Sequence, residues 1–106
     1  MGRSDVIATI NPKAEEKVVV IGDSTRYEIC DVIYSAMKKK SCDPTFLLLD
    51  AFSRPIFDSV VLGIIKRQLG DAAFIVDGAT YREEEQKLIS IVKVEEGRLE
   101  NNYFRL

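Results

Sequence analysis

A three-layer α/β sandwich on a mostly parallel sheet of four or five strands, with Rossmann-like βα repeats, is the fold this sequence predicts. Three observations point to it. Lys17–Ile21 (KVVVI), Phe46–Leu49 (FLLL) and Ala72–Val76 (AAFIV) are short continuous apolar runs, as strands are when a parallel sheet is covered on both faces. The segments between them carry apolar residues at spacings of three and four, the pattern of helices that bury one side. An aspartate closes each apolar run, at Asp23, Asp50 and Asp77, with a constant spacing of 27 residues. One βα unit is therefore used three times.

The elements follow in order. Asp5–Ile10 fits a short strand or one helical turn halted by Pro12. After the first strand, Tyr27–Lys40 predicts a helix with Ile29, Ile33, Ala36 and Met37 inward. Thr25 and Glu28 form a T-x-x-E capping box at its start, and Lys38–Lys40 complement the dipole at its end. Pro55–Leu69 predicts a second helix, with Phe57, Val60, Val61, Ile64 and Ile65 as its stripe and Ser53 as its cap. Arg82–Glu96 predicts a third, with Leu88, Ile91 and Val92 inward and Thr80 with Glu83 as a second capping box. Gly70 and Gly97 read as left-handed caps just past these helices. Leu99–Phe104 is expected to be a last strand, either an inner one or an edge that pairs with another copy.

A length of 106 residues predicts one domain over 1–106. The net charge of −2 provides no basic field for nucleic acid or an anionic membrane. Four tyrosines without interleaved basic residues make no base-stacking platform. No histidine is present, which removes the commonest general base and every imidazole zinc site. The apolar runs are far too short to span a bilayer, and Met1–Val6 has no signal core. A cytoplasmic protein is expected, with Cys30 and Cys42 as free thiols of a reducing compartment. Glu95 and Glu96, like Glu83–Glu85, read as a solvated helix face.

Ligands of open parallel sheets bind beyond the carboxyl ends of the strands. That edge gathers Asp23, Ser24, Thr25 and Arg26, then Asp50, Ser53 and Arg54, then Asp77, Thr80 and Arg82. Three readings share these residues. Asp, Ser and Thr at βα junctions serve turns and caps in any protein, and the Asp–Arg sets can pair with each other. Helix N–H groups, hydroxyls and guanidinium forks can instead hold a small anion. Third, Asp23, Asp50 and Asp77 can present oxygen ligands to Mg²⁺ in an enzyme. No phosphate-loop or dinucleotide fingerprint accompanies them. No catalytic residue and no cofactor is expected.

Two family resemblances attach to particular residues. Glu16–Ile21 followed by Asp23-Ser24-Thr25-Arg26 and Glu28-Ile29, then Arg54-Pro55, Gly70–Ile75 and Gly97-Arg98, resemble the amino-terminal α/β domain of the thermophilic aminopeptidase-like metallopeptidases. In that family the metal ions and catalytic carboxylates lie in a separate carboxy-terminal domain. The resemblance therefore implies a non-catalytic accessory module that binds or assembles, and the aromatic last strand, if an exposed edge, predicts a protein partner or a homodimer. The segment LLLDAFSRPIFDSVVLG is similar to the strand–loop–helix of STAS (anti-sigma-factor-antagonist) domains. It matches at Asp58, Ser59, Leu62 and Gly63, with Val60 and Val61 where that family has Ser-Gly. That likeness implies a regulatory partner phosphorylated at Ser59.

Overall fold

β-Branched residues and leucines build the strands, and their pairing sets the architecture. The structure is a computed structural model that describes residues 10, 12–40, 42–49, 59–80 and 86–106. It contains strand β1 (Lys17–Gly22), helix α1 (Tyr27–Lys39), β2 (Asp43–Leu48), α2 (Ser59–Gly70), β3 (Phe74–Asp77), α3 (Gln86–Leu99) and β4 (Tyr103–Arg105). The four described strands form one sheet in the order β2-β1-β3-β4, with every pairing parallel. The α/β class is as the apolar runs predict.

Strand order explains the layers. The chain steps one way from β1 to β2, then the other way past β1 to β3 and on to β4. Parallel crossovers are almost always right-handed, so reversing the step moves the connecting helix to the opposite face. The packing agrees. Cys30, Ile33 and Met37 of α1 join Val18, Val20, Val76, Phe104 and Ile10 on one face. Ile65 and Leu69 of α2 with Leu88 and Val92 of α3 join Val19, Ile21 and Ile75 on the other. Alternate residues of β1 serve both layers, which is why its run is continuously apolar.

Boundaries depart from the sequence expectation where backbone bonding decides them. β2 begins at Asp43 rather than Phe46, because the Asp43 N–H donates to the Glu16 carbonyl at 2.9 Å. Pro44 is tolerated because β2 is an edge among the described strands and Pro44 alternates with Asp43, so its missing N–H faces away from β1. Among the described strands β4 is the other edge, so the aromatic tail has β3 as its one described neighbour. It is shorter than expected, since the chain stays helical to Leu99 and makes a 3₁₀ turn over Glu100–Asn102.

The glycine caps are not found. Gly70 is the last residue of α2, Gly97 lies inside α3, and no described glycine has a positive φ. The left-handed position after α3 is taken by Glu100, at φ 55°. Helix α3 runs through Gly97 because both flanks hold it. Arg98 pairs with Glu95 at 2.7 Å and reaches the Leu69 carbonyl at 3.4 Å, while Leu99 packs on the core. Glu95 is thus buried, not solvated as expected, whereas Glu96 is exposed. Ile64 also departs from its predicted stripe and is 44% exposed.

An added Cβ at Gly97 meets nothing within 4 Å. Gly97→Ala combined with Glu100→Gly, which moves the glycine to the left-handed position, should therefore stabilise the fold by about 1–2 kcal/mol. Urea melts of the two single variants and the double variant check this; a net loss of stability would contradict the helix running through Gly97.

Candidate functional site

The reversal of crossover direction leaves β1 and β3 adjacent, with their connections departing to opposite sides. Open α/β sheets bind ligands at such a point. In register Ile21 pairs with Asp77, so Gly22 lies next to Gly78, and Asp23 stands two positions beyond Asp77. The two aspartates that look equivalent in the sequence repeat are therefore staggered across the sheet and have different partners.

Asp23 caps the 3₁₀ turn Ser24–Arg26 that leads into α1. Its Oδ1 accepts from the Arg26 N–H at 3.2 Å, and its Oδ2 accepts from the Thr80 N–H at 2.7 Å. It thus ties the end of β1 to the loop after β3. The Thr25 box expected at this position is not formed: Arg26 precedes Tyr27 as the helix cap and has no side-chain capping bond. A 3₁₀ turn over Ser24–Arg26 displaces the helix start past Thr25.

Asp77 is fully buried. Its Oδ1 accepts from the Ala79 N–H at 3.2 Å and from Arg105 Nη1 at 2.9 Å, and its Oδ2 accepts from the Tyr103 hydroxyl at 2.6 Å. Both partner side chains come from β4, in register beside β3. Burial and the neighbouring carboxylate hold the Tyr103 hydroxyl well above its ordinary range. Among the described residues Asp77 thus pairs with Arg105, an arginine that is not one of those at the βα junctions.

Cys30 fills the space between the two glycines. A Cβ on Gly22 would lie 2.8 Å from Cys30 Sγ, and one on Gly78 would lie 2.7 Å from it. The thiol donates to the Ile21 carbonyl at 3.6 Å. Burial pushes its pKa from 9.0 to about 11, with Asp23 and Asp77 adding to the rise and Arg26 opposing it. Cys42 is raised too, mainly by burial, and donates to the Met37 carbonyl at 2.9 Å. Both cysteines are free thiols.

The sign of the Cys30 effect is fixed. The unfolded thiol ionises first, so stability is complete below pH 9 and falls as pH rises towards about 11. The Cys30 share of that loss should be on the order of 2 kcal/mol. Urea melts at pH 8 and pH 10.5 (roughly the two sides of the titration) should show a smaller difference in Cys30→Ala than in the parent chain.

Arg26 is the residue of this edge left unsatisfied. Its Nε is buried and has no hydrogen-bond partner among the described residues, while Ser24 and Thr25 beside it are exposed. Asp23, Arg26 and Thr80 thus meet at the ends of β1 and β3. Asp50, Ser53, Arg54 and Arg82 lie outside the described residues, as does the side chain of Ser59, whose backbone is helical. Sequence reasoning missed Cys30, Tyr103 and Arg105. The paired glycines carried a signal for Cys30, because two strand ends without side chains leave room for one from a helix.

Among the described residues no group of three or more Cys, Asp or Glu is placed to hold a metal ion. No helix among them is long and apolar enough to cross a membrane. No protein-family model, no curated protein and no solved structure matches the chain.

Proposed function

We propose that the chain is a non-catalytic binding domain that takes a small phosphate- or carboxylate-type anion at the carboxyl ends of β1 and β3. The buried, unpartnered Nε of Arg26 carries this reading, since a desolvated guanidinium donor costs free energy until an acceptor meets it. Lone-pair bookkeeping supports an anion over a cation. A carboxylate offers about four acceptor sites. Asp77 already accepts from three donors and Asp23 from two, so neither is left bare towards the crevice. The N-terminal end of α1 adds its dipole. An accessory role without turnover is also what the likeness to the amino-terminal domain of aminopeptidase-like proteins implies.

Titration with inorganic phosphate, followed by amide NMR, tests the reading. Shifts should concentrate in Asp23–Glu28 and Gly78–Thr80, weaken with added salt, and disappear in Arg26→Gln. A silent titration, or shifts that persist in Arg26→Gln, would show that this edge serves only capping and pairing.

A further inference from the structure

The outer surface of α2 and α3 carries a second feature that shares no residue with the crevice. Lys66 of α2 and Ser90, Ile91, Val94 and Glu95 of α3 line a depression of about 190 Å³. Small-molecule sites usually offer about 300–1,000 Å³. This one is the size for a large apolar side chain, not for a metabolite.

Its chemistry narrows the occupant. Val94 holds its side chain 69% exposed at the rim. Of the two charged groups in the lining, Glu95 is neutralised by Arg98 at 2.7 Å, which leaves Lys66 as the uncompensated charge. On a chain with a net charge of −2, the charge presented by this hollow is thus positive.

We propose that this hollow docks an acidic amphipathic helix of a partner protein, with one apolar side chain seated over Ile91 and Val94 and a carboxylate meeting Lys66. Helices lying in apolar grooves are a recurrent recognition mode. Charge complementarity selects the acidic partner and speeds its encounter. A contact this small is transient.

A fluorescein-labelled synthetic helix with leucine at every third or fourth position and glutamate elsewhere is the probe. Its twin carries lysine for glutamate. Anisotropy titration should show binding of the acidic helix only. Lys66→Glu and Val94→Asp should each weaken it roughly tenfold or more. Lys39→Glu makes the same charge change on α1, across the sheet, and should leave binding intact. All three altered residues are exposed, so circular dichroism of the variants should match the parent. No binding, equal binding of the two helices, or equal losses in Lys66→Glu and Lys39→Glu would each overturn the proposal.

Discussion

Replacing Asp77 with alanine is expected to destabilise the protein by about 3 kcal/mol, lowering Tm by roughly 10 °C or more. The carboxylate is fully buried and joins β3 to β4 through Tyr103 and Arg105. Removing it strands the Tyr103 hydroxyl and the Ala79 N–H without their acceptor. The Arg105 side chain is 47% exposed and can return to water, which keeps the cost below that of a fully buried ion pair. Tyr103→Phe removes one donor only and should cost about 1–2 kcal/mol. The two changes share one network, so the double variant should lose less than the sum. Thermal melts of the three variants measure this. A loss below about 1 kcal/mol for Asp77→Ala would mean that the β4 contacts are not structural. The lone-pair argument against a cation at this edge would then fail.

The second large effect lies at the glycine pair. Gly78→Ala would place a Cβ 2.7 Å from Cys30 Sγ and 3.0 Å from Leu106 Cδ1. Leu106 is a flexible side chain that can turn aside. Cys30 is short and fixed to α1, so either the helix or the strand end must move. We expect a loss of about 2–4 kcal/mol. Cys30→Ala removes the obstructing sulfur and should cost about 1–2 kcal/mol by itself. In that background Gly78→Ala should cost at least about 1 kcal/mol less than in the parent. Denaturant melts over the full cycle check the coupling. Additive losses would mean that the thiol does not occupy the space between the strands.

Much of the fold was legible because local patterns decide it. KVVVI suits a strand covered on both sides, and the apolar spacing and the basic last turn of Tyr27–Lys39 agree with one helix, although the Thr25 capping box does not form. Strand order was not legible. Nothing in Phe74–Asp77 tells β3 to pair with β1 rather than β2, since both offer apolar edges. The site was half legible for the same reason. Asp23, Arg26 and Thr80 belong to turn chemistry near their own strands. Arg105 and Tyr103 reach Asp77 only through the β3–β4 pairing, and Glu95 is buried only because Arg98 and the end of α2 enclose it. The 27-residue rhythm made Asp23 and Asp77 look alike, and the register separates them.

The central place of β1 also bears on the order in which the chain can acquire its structure during synthesis. Its partner on one side, β2, leaves the ribosome soon after it, and α1 can cover one face at once. The other flank waits for Phe74–Asp77, because Val18 pairs with Phe74 and Ile21 with Asp77. Until then the nascent chain presents an apolar strand with an open flank, a state exposed to mispairing. Closing so distant a contact is also slow compared with forming a helix. Translation speed between β2 and β3, rather than the strength of any single contact, then sets how long that vulnerable intermediate persists.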